Sequence, residues 1–176
     1  DFKPLLRAMP ARAGVHYGYG LALQGKGDAP GALRAFAEAV RLEPDNPEYR
    51  LDYGAALLRS GRPDAPAQGE RELRKALELA PGFPRAVYLL ALFYDDAGRF
   101  DAAIPLYRQA VEQGYMAERA RLHLAEALFK TGQTADGRQE ARRLMTGTRD
   151  PALRRAAGEL LERGAGLAPA GKGARP

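Results

Sequence analysis

Residues 18–46 read GYGLALQGKGDAPGALRAFAEAVRLEPDN, two small-and-apolar stretches joined by a glycine turn, and the chain goes on to repeat them. DYGAALLRSGRPDAPAQGERELRKALELAPGF (52–83) follows, then LLALFYDDAGRFDAAIPLYRQAVEQGY (89–115) and HLAEALFKTGQTADGRQEARRLM (123–145). Gly20, Gly54, Ala91 and Ala125 recur at steps of 34, 37 and 34, and a glycine (Gly27, Gly61, Gly98, Gly132) follows each after seven residues. Next come a small residue, a large apolar one and a second anchor: Ala32/Phe36/Ala39, Gly69/Leu73/Ala76, Ala103/Tyr107/Ala110 and Gly137/Ala141/Leu144. Small residues such as Gly20 and Ala32 let two helices approach closely, and Phe36 and Tyr107 fill the gap toward the next pair. The turn glycines accept the left-handed conformation a chain reversal needs. Pro44 and Pro81 stop a helix, while Pro47 and Pro84 suit the first turn of the next. The 20 Gly and 13 Pro are therefore mostly punctuation between helices.

This pattern resembles the tetratricopeptide repeat (TPR), a 34-residue helix–turn–helix unit, over about residues 13–146. His16, Arg50, Val87 and Arg121 stand where the family often carries tryptophan, Tyr115 where a closing proline is expected, and Ala141 underfills the large apolar slot. The resemblance implies an all-α, right-handed helical-repeat solenoid of about four TPR-like helix pairs plus a C-terminal capping helix. The pairs are expected at 13–25/29–42, 47–60/66–80, 84–97/100–113 and 118–131/134–146, within repeats 13–46, 47–83, 84–117 and 118–150. PALRRAAGELLER (151–163) gathers Leu153, Ala156, Ala157, Leu160 and Leu161 on one face, as a helix closing a solenoid must. Residues 164–176 read as a disordered tail. Counting back 34 from Phe36, Ala39 and Pro44 lands on Phe2, Leu5 and Pro10, so residues 1–12 phase as the end of a preceding repeat, with a short N-terminal extension as the alternative. In the second repeat Gly61 to Gly69 spans eight residues where the other copies use five, an enlarged loop of the kind surfaces tolerate.

Composition narrows the function. With no Cys, thiolate zinc sites, iron–sulfur clusters and cysteine nucleophiles are excluded, and only His16 and His123 supply imidazole. GLAPAGKG (166–173) has the glycines of a phosphate loop but Gly173 where Ser or Thr should hold magnesium, and no GxSxG or HExxH occurs. Asp95–Asp96 has no evident third metal ligand, and His123 stands alone in the sequence. The reading is a non-enzyme with no catalytic residues, no cofactor and no metal.

What remains is surface. In TPR proteins the first helix of each pair lines a concave groove that grips an extended peptide or a helix. By phase those side chains are Tyr17, Leu21 and Gln24, then Leu51, Ala55 and Leu58, then Tyr88, Leu92 and Asp95, and lastly Leu122, Glu126 and Phe129. Their apolar and aromatic character points to an apolar segment or amphipathic helix. It disfavours a clamp for C-terminal carboxylates, for which Arg85 and Arg119 are the basic candidates at hand.

The formal charge of +5 lies wholly in the last third, where Arg138, Arg142, Arg143, Arg154 and Arg155 form a candidate basic contact patch. The alternative function is thus a module of an envelope, secretion or polysaccharide-export machine that meets an acidic partner or polyanion there. A nucleic acid is disfavoured because no aromatic platform accompanies the arginines. The Ala-, Arg- and Gly-rich usage suggests a bacterial source and a multiprotein assembly, and homo-oligomerisation stays open. No run is long enough for a transmembrane segment. An upstream signal or anchor is not visible from this stretch, so the domain is read as soluble, cytoplasmic or periplasmic.

Overall fold

The computed structural model describes residues 2–165, which form ten α-helices and no strand. They are α1 (Lys3–Ala8), α2 (Ala13–Gly25), α3 (Ala29–Leu42), α4 (Pro47–Leu58), α5 (Ala65–Leu79), α6 (Pro84–Asp96), α7 (Phe100–Glu112), α8 (Ala117–Lys130), α9 (Thr134–Gly147) and α10 (Pro151–Ala165). Every expected helix is present with ends within two residues of those read from the repeats. The chain divides into two compact units, Asp1–Leu89 and Leu90–Pro176, the division falling inside α6. Most of the expected tail, from residue 166 onward, lies outside the described residues.

Local signals set the helix ends. Gly27, Gly61, Gly98 and Gly132 have φ of 79°, 69°, 71° and 77°, a conformation that costs a β-carbon strain. Asp28 Oδ1 accepts from Gly31 N at 2.9 Å and Asn46 Oδ1 from Glu48 N at 3.0 Å, satisfying amides that α3 and α4 leave open. The α7–α8 turn, which has no closing proline, pairs Gly114 (φ 74°) with Met116 (φ 48°). The left-handed backbone at Met116 costs about 1 kcal/mol.

In the first unit α2 packs on α3, α3 on α4 and α4 on α5. Phe36 is fully buried against Gly20, where a Cβ would come within 2.6 Å of the ring. Ala32, Phe36 and Ala56 form a core that Tyr17, Leu23, Leu33 and Tyr53 enclose, so Phe36 joins the first pair to the second. Arg50, at a tryptophan position, donates instead to Glu72 Oε2 at 2.7 Å and to the Pro44 carbonyl. His16, 34 residues earlier, donates through Nε2 to the Pro10 carbonyl at 2.8 Å. α1 lies on α2, with the Phe2 ring 5.9 Å from that of Tyr19.

In the second unit α7 packs on α8, α8 on α9, and α10 on both α9 and α8. Ala141 is fully buried, and the volume its small side chain leaves is taken by neighbours: Leu122 and Phe129 of α8 and Leu160 and Leu161 of α10. α10 thus covers the last helix pair. Thr148, also buried, fixes the approach to α10 by donating to Glu118 Oε2 at 2.9 Å and accepting from Asp150 N at 3.1 Å. Arg121 donates to Glu140 Oε2 at 2.7 Å, as Arg50 does to Glu72. Among the described residues no helix is long and apolar enough to cross a membrane.

Candidate functional site

The residues expected to line a groove fall into different environments. In the first unit Leu21 is 43% exposed and Gln24 is exposed, whereas Tyr17 and Leu58 are half-buried. Leu51, Ala55 and Tyr88 are interior, at 0%, 2% and 8% exposure. Those three serve packing and offer no surface, which corrects their assignment as partner-facing. The reason lies in α4, which buries Leu51, Asp52 and the run Gly54, Ala55, Ala56 and Leu57, so nearly its whole circumference is covered.

Asp52, which the repeat reading passed over, is the charged side chain around which this face is built. It is 2% exposed, and its Oδ2 accepts from the Tyr17 hydroxyl at 2.7 Å while its Oδ1 accepts from Arg85 Nη2 at 2.5 Å. α2, α4 and α6 are thereby linked through side chains of successive first helices. The Tyr17 ring also lies 4.7 Å from that of Tyr49. Burial first, then the hydrogen bond to Asp52, pushes the Tyr17 phenol above its ordinary range. Arg85 is engaged with Asp52, which leaves it a poor clamp for a carboxylate. The signal for Asp52 was a carboxylate inside the apolar run LDYGAALL, since such a residue is rarely buried without a partner.

The second unit gathers polar groups at the end of α6 and along one face of α8. Asp95 is largely buried, whereas Asp96 is exposed. Asp95 Oδ2 accepts from the buried Tyr107 hydroxyl at 3.0 Å, and its Oδ1 lies 3.3 Å from Lys130 Nζ. His123 is not isolated once folded: its Nδ1 is 4.0 Å from Asp95 Oδ2 and 3.5 Å from Glu126 Oε2, and its ring stacks on Tyr107 at 5.5 Å and 17°. Asp95, His123 and Glu126 offer ligand atoms that all lie within 4.8 Å of one another. The hydrogen bond from His123 is the main cause holding the Glu126 carboxyl below the usual range, against a smaller effect of burial. The fold thus places His123 and Glu126 beside Asp95, and the exposed Asp96 is not part of the group.

Leu92, Leu122 and Phe129 are half-buried. Phe129 packs where a Cβ on Gly164 would come within 2.4 Å of it, and the same ring borders a cavity of about 470 Å³ lined by Glu126, Phe129, Lys130, Leu160, Arg163 and Gly164. The basic patch is partly consumed internally. Arg138 donates to the Gly164 carbonyl at 2.6 Å, Arg154 to the Thr148 carbonyl at 2.6 Å, and Arg143 to Glu140 at 2.7 Å. Arg142 and Arg155 are exposed.

Known proteins resemble this chain in sequence and in fold. The family described as the TPR domain of cytochrome c-type biogenesis protein H matches residues 17–119, and a tetratricopeptide-repeat family matches residues 96–160. A TPR repeat-containing protein of Pseudomonas aeruginosa is 40% identical over 105 residues, 58% of this chain and 40% of that protein. Photosystem I assembly protein Ycf3 of Cyanophora paradoxa is 34% identical over 117 residues, 65% of this chain and 58% of that protein. The chain therefore spans less than two thirds of the length of these relatives. Among solved structures, YrrB, described as a TPR protein with an unusual peptide-binding site, superimposes with a TM-score of 0.75 at 16% identity, covering 93% of this chain and 90% of that one. MamA from Desulfovibrio magneticus gives a TM-score of 0.75 at 19% identity, with 87% and 89% covered. At such identities the likeness is one of fold.

Proposed function

Because this chain belongs to the tetratricopeptide-repeat family, we propose that it is a non-catalytic protein-binding scaffold that holds an apolar peptide segment or amphipathic helix against the first helices of its repeats. The observation that carries this reading is the open cavity beside Phe129, where an aromatic ring and Leu160 form an apolar wall edged by Glu126, Lys130 and Arg163. Such a wall accepts a large apolar side chain, and the charged edge orients the backbone or polar residues flanking it. In the first unit the exposed Leu21, with Gln24 and the half-buried Tyr17 and Leu58, offers a second apolar surface. Peptide binding by YrrB and the assembly role named for Ycf3 are in keeping with this reading. The setting we infer is a bacterial multiprotein assembly. Contact with a polyanion is less favoured, since Arg138, Arg143 and Arg154 are already held by Gly164, Glu140 and Thr148.

A displayed library of random peptides, selected on the whole chain, tests the proposal. Enriched peptides should carry apolar or aromatic residues at helical spacing. Leu21→Asp or Leu92→Asp should weaken their binding about tenfold or more without changing the circular dichroism. Enrichment of acidic peptides indifferent to both substitutions would defeat it.

A further inference from the structure

We propose that Asp95, His123 and Glu126 form a binding site for a divalent transition-metal ion of the zinc class, sharing Glu126 with the edge of the cavity beside Phe129. His123 and Glu126 lie three residues apart on α8 and so share a face, toward which the last turn of α6 brings Asp95. Tetrahedral coordination with bonds of about 2.0–2.2 Å sets ligand atoms roughly 3.3 Å apart. The distances from His123 Nδ1 are 3.5 Å to Glu126 and 4.0 Å to Asp95, with all three atoms inside 4.8 Å, so shifts of at most roughly 1.5 Å at the His123 and Glu126 side-chain tips close the site. His123 and Glu126 have that freedom, being about one third exposed, and their exposure also gives an ion a way in and a position for water.

The support behind these ligands is what separates them from a chance meeting of charges. Tyr107 is fully buried, and it holds Asp95 through its hydroxyl while its ring stacks on His123. One rigid side chain therefore orients two of the three ligands, the part an outer shell plays in metal sites. Lys130 does not block the position, because it meets Asp95 Oδ1 whereas Oδ2 faces His123. Its ammonium also lies 4.5 Å from the centre of the Phe100 ring, a second resting place when a dication takes up the carboxylate charge. One imidazole with two carboxylates suits Zn²⁺, Co²⁺ or Ni²⁺, whereas Mg²⁺ and Ca²⁺ require more oxygen ligands than are present.

The chain's two histidines supply an internal control. The tag-free protein, stripped with chelator, is titrated with ZnCl₂ by calorimetry and with CoCl₂ by visible absorption. The expected result is one ion per chain, undisturbed by excess Mg²⁺, with Co²⁺ giving the intense bands of a low-symmetry site. His123→Gln should abolish binding and His16→Gln leave it unchanged. Glu126→Gln, at an accessible position that leaves packing intact, and Tyr107→Phe should each weaken it about tenfold or more. The proposal is overturned if the protein takes up no ion, if excess Mg²⁺ displaces Zn²⁺, if His123→Gln or Glu126→Gln binds as the parent does, or if binding depends on His16.

Discussion

Arg50 of α4 and Glu72 of α5 form an ion pair 2.7 Å long, their side chains only 15% and 17% exposed, where the repeat commonly stacks a tryptophan. Removing one member strands the other charge away from water, at a cost of about 2–3 kcal/mol for a pair buried to this degree. Removing both for apolar residues costs little, and the sequence contains the apolar version, Val87 and Leu106, at the same phase of the third repeat. In urea denaturation, Arg50→Ala and Glu72→Ala should each lose about 2–3 kcal/mol, while the double variant Arg50→Val/Glu72→Leu should stay within about 1 kcal/mol of the parent. A loss in the double variant as large as the sum of the two single losses would mean the pair is not coupled.

Asp52 leads to a second expectation. Its carboxylate is the acceptor for both Tyr17 and Arg85, so truncation leaves a half-buried hydroxyl and a guanidinium without it. Asp52→Ala should cost about 3 kcal/mol and Tyr17→Phe about 1 kcal/mol. The double variant should fall short of the sum, because the Tyr17 hydroxyl has already lost its acceptor. Strict additivity in thermal or urea melts would deny the link between α2 and α4.

The helix pairs were legible because a small residue, a turn glycine and a large apolar anchor recur in phase, and packing permits few substitutes at those points. Gly20 against Phe36 is such a point. Partner-facing positions were less legible. α4 buries residues all round, so a 3.6-residue phase cannot separate its inner side from its outer one, and Leu51 and Ala55 were assigned to the surface. The polar links were invisible for another reason. Tyr17–Asp52 and Asp95–Lys130 each join residues 35 apart, one position beyond the repeat step, and no apolar periodicity selects such pairs. They follow only once neighbouring first helices lie side by side.

Two glycines at helix interiors should respond oppositely to alanine. A Cβ on Gly20 would meet Phe36 atoms at 2.6 and 2.7 Å, and the fully buried ring has little room to retreat. Gly20→Ala should destabilise by about 1–3 kcal/mol through overpacking. Gly158 of α10 has nothing within 4 Å of the same atom, so Gly158→Ala should gain up to about 1 kcal/mol from helix propensity alone. Thermal melts of the two variants check the pair. Loss of stability in Gly158→Ala would show that the outer side of α10 is packed against something else.

Acid should act through Glu126. Its carboxyl is held below the usual range chiefly by the hydrogen bond from His123. A carboxyl whose folded pKa is depressed stabilises the fold above its unfolded value, about 4.3, and that contribution disappears as pH falls through the lower folded value. Glu126→Gln removes the titration but nearly keeps the shape. The parent should therefore be more stable than this variant at pH 7, and the difference should shrink steadily as pH drops from about 5 to about 3. Urea midpoints for both proteins across that window provide the measurement. A difference independent of pH would mean that Glu126 contributes through packing and that its bond to His123 adds nothing to stability.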